Sequence, residues 1–170
     1  MVASRRRRLG PGAAVTLVAF LALTAIAFAL PPFTTAPKTA AGSGGQVELS
    51  GVAIGCHATF DRFVFRARFG TPRYDVRYVR KIVADGSGAT VRLRGTKRIR
   101  VLIRDARAHT QSGAGLVPNV RTPLCPNLRQ MKTAGDFEGI VTFGLGLRRK
   151  KGFRVFRLTS PTRLVIDVAH

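Results

Sequence analysis

The chain has 170 residues, with 29 Lys and Arg against 8 Asp and Glu and three His, a formal net charge of +21. So few carboxylates and imidazoles leave little room for acid–base catalysis, and two cysteines exclude a cysteine-rich metal site.

The first predicted element is an address. Residues 5–8 are four arginines, and residues 13–30 are eighteen residues without a charge. A basic cluster ahead of an apolar run stays cytoplasmic, so the chain beyond the run is exported. As a helix the run is roughly 27 Å long at about 1.5 Å per residue, close to a hydrocarbon thickness of about 30 Å. Residues 1–30 therefore read as an N-terminal apolar export signal or anchor helix. A small-x-small site at Ala27-Phe28-Ala29 permits cleavage, whereas a run longer than the usual about 7–15 apolar residues of a signal peptide favours the anchor. The remainder is expected outside the cytoplasm: membrane-anchored through residues 13–30 if the run is kept, secreted if it is cut. No cysteine precedes Cys56, so there is no lipid-accepting cysteine near the leader.

Residues 31–45, rich in Pro, Thr, Ala, Gly and Ser, read as a flexible linker, and residues 46–170 as one domain. Within that domain short Val-, Ile-, Phe- and Thr-rich runs are broken by Gly, Pro or Asp-Gly, and none keeps a helical period. Strands are predicted at 46–55, 60–69, 74–79, 90–93, 98–105, 137–147, 153–158 and 164–168. In the second, Phe63, Phe65, Ala67 and Phe69 share one face and Arg62, Arg66 and Arg68 the other; Ile99, Val101 and Ile103 against Arg98, Arg100 and Arg104 repeat the arrangement. This predicts an all-β fold, a small β-sandwich of two antiparallel sheets. Residues 106–133, with Pro118, Pro123 and Pro126, read as a long connection that is either functional or stapled down.

Cys56 and Cys125 are the only cysteines, and in an oxidising compartment a disulfide is the economical reading. It would contribute about 4 kcal/mol by constraining the unfolded chain. Two unpaired thiols are the alternative, and a metal site lacks further ligands nearby.

The excess positive charge is not confined to the leader, and a surface this basic attracts polyanions. Outside the membrane these are anionic wall polymers, peptidoglycan carboxylates and lipid headgroups. Nucleic acid is not an expected partner, since no zinc-finger spacing, helix-turn-helix or RNA-recognition motif is present. Arginine greatly outnumbers lysine, which a GC-rich coding sequence also produces, so part of the charge is open to a compositional explanation. Arg66, Arg68, Arg100 and Arg104 are the candidate anion-binding residues, a stripe that presumes their two strands are neighbours. The run Arg148-Arg149-Lys150-Lys151 reads as the hydrated tip of a hairpin.

No catalytic, cofactor-binding or metal-ligating residues are expected. His57 with Asp61, and Asp105 with His109, are four apart, a spacing that aligns side chains on a helix but not on the strands and turns predicted here. There is no Gly-x-Ser-x-Gly elbow, and Gly42-Ser43-Gly44-Gly45 lacks the Gly-Lys-Ser/Thr of a phosphate loop. Gly144 and Gly146, inside an apolar strand, mark a bulge or a close backbone approach.

Two stretches carry a family resemblance. The first is Phe60-Asp61-Arg62-Phe63-Val64-Phe65 with Pro72-Arg73-Tyr74-Asp75-Val76-Arg77-Tyr78-Val79. The second is Gly135-Asp136-Phe137-Glu138-Gly139, Phe143-Gly144-Leu145-Gly146-Leu147, Phe153-Arg154-Val155-Phe156 and Pro161-Thr162-Arg163-Leu164-Val165-Ile166-Asp167-Val168. Together they resemble the AMIN-like domain of actinobacterial exported proteins and, more loosely, the AMIN domain of peptidoglycan amidases. The resemblance implies a β-sandwich without catalytic residues that holds a protein at the cell wall. The expectation is a non-enzymatic, cofactor-free envelope module that binds peptidoglycan or an anionic wall polymer. The alternative is a structural domain docking another envelope protein through an apolar patch or a sheet edge.

Overall fold

The computed structural model describes residues 29–170, so the leader lies outside the described residues except for its last two. Those residues form eleven strands and no α-helix: β1 (Lys38–Ala40), β2 (Val47–Cys56), β3 (Phe60–Arg68), β4 (Arg73–Val79), β5 (Lys97–Arg104), β6 (Ala106–Arg107), β7 (Val120–Arg121), β8 (Leu128–Phe137), β9 (Ile140–Leu147), β10 (Phe153–Leu158) and β11 (Arg163–Ala169). They make a six-stranded sheet in the order β1-β4-β5-β9-β8-β7 and a five-stranded sheet in the order β10-β11-β3-β2-β6. Pairing is antiparallel except where β6 runs parallel to β2.

Alternation along the strands builds the core. Phe63, Phe65 and Ala67 of β3 point inward with Leu164, Ile166 and Val168 of β11, and meet Ile99, Val101 and Ile103 of β5 and Phe143 and Leu145 of β9 from the other sheet. The Phe65 and Phe143 rings lie 4.6 Å apart at its centre. Asp105, at φ 54°, turns the chain from β5 into β6 and so from one sheet to the other, and its carbonyl accepts from the Val47 amide at 2.7 Å.

Several expectations are corrected. Residues 31–45 are not a free linker: Thr34 bridges Phe153, β1 pairs with β4 from Lys38↔Val76 to Ala40↔Tyr74, and the Ser43 hydroxyl accepts from the Thr71 amide at 2.8 Å. The span 137–147 is not one strand but the end of β8, a turn and β9. Glu138 and Gly139, both at positive φ, make the tight two-residue turn that suits the twist of a β8–β9 hairpin. Most of β8 falls within the 106–133 span expected to be a connection, because bulges at Leu128/Gln130 and Thr133/Gly135 break its alternation. Residues 90–93 form no strand beyond the single Thr90↔Val83 bridge. Instead Ile82 and Leu93 fold over β9, and a Cβ on Gly144 would sit 2.8 Å from Leu93 Cδ1. Gly144 is thus a close approach. Finally, β3 lies between β11 and β2 while β5 lies between β4 and β9, so the two arginine-bearing strands are not neighbours.

Cys56 and Cys125 are joined, with Cα atoms 5.2 Å apart, so the end of β2 is tied to the segment ahead of β8. Beside the bridge Asp61, fully buried on the inward face of β3, accepts the amides of Asn127 at 2.7 Å and Leu128 at 2.6 Å through Oδ2. The proline-rich connection is therefore stapled at its end by a covalent bond and a buried carboxylate.

Candidate functional site

The outward face of β4 and β5 concentrates what the sequence only scattered. In β4 the alternation Arg73, Asp75, Arg77 points away from the core, and in β5 so do Arg98, Arg100, Leu102 and Arg104. Register places Arg73 directly opposite Arg104 and Arg77 opposite Arg100, with Arg98 next along β5. Five guanidiniums thus share the outward positions of these two strands with one carboxylate, Asp75. Arg77 Nε donates to Asp75 Oδ1 at 2.6 Å, its NH2 donates to Oδ2, and Arg100 NH2 stands 3.4 Å from Oδ1. Partial burial pushes the Asp75 carboxyl up, but hydrogen bonds and charge from Arg77 and then Arg100 outweigh it and hold the group below the usual carboxylate range. At the corner Arg73 NH1 lies 3.8 Å from Asp105, where an open cleft of about 500 Å³ is lined by β1, the glycine loop after it, Arg73, Asp75 and Arg104.

Like charges directly opposite on neighbouring strands destabilise a sheet. This face keeps two such Arg–Arg pairs: Arg77 and Arg100 share Asp75, while Arg73, opposite Arg104, has only the more distant Asp105 at 3.8 Å. Guanidinium forks match carboxylate and phosphate groups, and Arg77 already holds the Asp75 carboxylate in this two-point way.

The sequence-predicted stripe is divided by the fold. Arg100 and Arg104 belong to this face, but Arg66 and Arg68 lie on the outward face of the opposite sheet, where Arg68 stands 3.6 Å from Glu48 and Arg66 pairs in register with Gly51 and Arg163. On the six-stranded sheet the companions of Arg100 and Arg104 are Arg73, Arg77 and Arg98. Arg-x-Asp-x-Arg in β4 was the available signal, but it needed the β4–β5 pairing to become a surface.

A second arginine cluster lies on the outward face of the five-stranded sheet, buried under Phe33, Phe60 and Phe156. Asp167, with no exposure, receives Arg62 through Nε at 2.7 Å and NH2 at 2.9 Å, and Arg154 through Nε at 2.8 Å. Arg154 also covers the Phe33 ring at 4.4 Å and Arg62 the Phe60 ring at 5.1 Å. Their polar and flat surfaces are engaged by the protein itself, so this cluster holds the five-stranded sheet together.

The histidines form no catalytic pair at the predicted spacings. His109 Nδ1 meets Asp136 Oδ2 at 2.7 Å instead of Asp105, and His57 stacks on Phe60 while Asp61 is buried beneath, 3.5 Å from His170 Nε2. Ligand atoms of Cys56, Asp61 and Cys125 lie within 4.8 Å of one another, but the two sulfurs are bonded to each other.

No curated protein matches the chain. The AMIN-like domain family matches residues 39–170, from inside β1 to the final residue, and thus takes in ten complete strands, both sheets and the arginine face. The chain belongs to the AMIN-like domain family.

Proposed function

We propose that the protein is a non-enzymatic module of the cell envelope that holds peptidoglycan or an anionic wall polymer on the arginine face of its six-stranded sheet. Family membership supports an envelope, peptidoglycan-associated role, and together with the disulfide it supports an extracytoplasmic address. The observation that carries the choice of surface is the register that sets Arg73 against Arg104 and Arg77 against Arg100 around a single Asp75. A chain of phosphates or carboxylates laid across the strands relieves that repulsion, and binding is then electrostatic and screened over about 8 Å at physiological salt.

Retention of the protein on purified sacculi, with and without their attached anionic polymers, tests this. Retention is expected to fall steeply with ionic strength and to drop when the polymers are stripped if they are the ligand. Salt-independent retention would contradict the proposal.

A further inference from the structure

The N-terminal segment joins the fold beside its most basic turn. Thr34 and Phe153 exchange backbone hydrogen bonds at 3.1 and 2.8 Å, and Phe33 packs so tightly on Gly152 that a Cβ there would stand 3.0 Å from the Phe33 carbonyl carbon. Gly152 directly follows Arg148, Arg149, Lys150 and Lys151, all exposed, in the turn between β9 and β10. The uncharged run ends at Leu30, three residues before Phe33. Three extended residues span at most about 10 Å.

The turn is held rigidly. Asn127 accepts the Arg148 amide at its carbonyl, 2.8 Å, and the Arg149 amide at Oδ1, 2.9 Å. Thr96 Oγ1 donates to the Arg148 carbonyl at 2.7 Å, and the Tyr78 hydroxyl donates to the Lys151 carbonyl at 2.7 Å while accepting its amide at 3.1 Å. None of the four cations has an ion pair among the described residues, and no carboxylate side chain lines the clefts on either side of the turn. Leu30 and Phe33 are themselves exposed at this end.

We propose that this turn is a membrane-docking element: with residues 13–30 retained in the bilayer, Arg148, Arg149, Lys150 and Lys151 rest on anionic lipid headgroups of the leaflet from which the chain emerges. The short tether sets a high local concentration of headgroups at the turn, and a preordered turn loses little freedom on contact. Juxtamembrane basic clusters are drawn to anionic lipid within a Debye length, a range that this tether does not exceed by much. Docking here fixes the domain's orientation and leaves the far end of the arginine face, Arg73 and Arg104, turned toward the wall. It does not depend on what that face binds.

The test uses the full chain in nanodiscs of phosphatidylcholine alone or mixed with phosphatidylglycerol, each with a spin-labelled headgroup lipid, and reads the broadening of amide resonances. In the anionic discs the amides of Lys150 and Lys151 should broaden several-fold more than those of Arg66 and Arg104 at the opposite end, and several-fold more than in neutral discs. Glutamine at all four tip positions should abolish the difference, whereas glutamine at Arg73, Arg77 and Arg104 should leave it intact. Equal broadening at the tip in both discs, or broadening no greater than at the far end, would overturn the proposal. So would recovery from cells of a chain cut ahead of Leu30.

Discussion

Replacing Asp167 by alanine is expected to cost about 3–5 kcal/mol of unfolding free energy, the range seen when one partner of a buried ion pair is removed. The carboxylate has no exposure and is the shared acceptor of Arg62 and Arg154, whose side chains are 27% and 13% exposed. Without it two guanidiniums stay pressed against Phe33, Phe60 and Phe156 with no counter-charge. Because Arg154 (β10), Asp167 (β11) and Arg62 (β3) lie in one register row, the loss falls on three adjacent strands at once. Denaturant titration of wild type and variant measures it. A loss below about 1 kcal/mol, the scale of an exposed pair, would show that the cluster is a surface feature.

Reducing the Cys56–Cys125 bridge is expected to lower stability by about 4 kcal/mol in the chain-entropy account. The two residues are 69 apart in sequence, so the opened loop returns considerable freedom to the unfolded chain. The native state should change little, because Asp61 still holds the amides of Asn127 and Leu128, and Asn127 Nδ2 still donates to the Ala169 carbonyl at 2.8 Å. Spectra without denaturant should therefore coincide in the two redox states while the unfolding midpoint falls on reduction. An unchanged midpoint, or two titratable thiols in the oxidised protein, would contradict the assignment.

The parts of this fold that alternate cleanly were legible in the sequence. Phe63, Phe65 and Ala67 in β3 and Ile99, Val101 and Ile103 in β5 announce both their strand and its inward face, and two such faces imply two sheets. What failed was whatever depends on a break in period. β8 is hidden by its two bulges, and the Glu138-Gly139 turn is hidden because Glu is an uncommon residue at positive φ. β1 was concealed by a composition that suits a linker. Its order comes from tertiary pairing with β4, which local sequence does not record.

The candidate site was half legible for the same reason. Arg100 and Arg104 could be placed outward from β5 alone, but which arginines stand beside them depends on strand order, and that order joins β5 to β4 and not to β3. The buried carboxylates are the reverse case. Asp61 and Asp167 looked like members of a small acidic minority, and burial shows them to be structural anchors, whereas Asp75 is the one acid among the outward positions of β4 and β5.

The most direct test of the wall-binding account compares retention on sacculi across a salt series for three variants. Replacing Arg73, Arg77, Arg98 and Arg104 with glutamine leaves Arg100 to pair with Asp75, and because Arg73 and Arg104 are exposed and Arg77 and Arg98 half-buried on the outward face, away from the core, the domain should stay folded. This variant should lose retention at a much lower salt concentration than wild type. Asp75→Asn, which removes the carboxylate that Arg77 and Arg100 share, should shift it the opposite way, to higher salt. Glutamine at Arg66 and Arg68 on the other sheet should leave it nearly where it is. Retention of the folded four-arginine variant indistinguishable from wild type, or lost equally in the Arg66/Arg68 variant, would contradict the assignment of binding to this face.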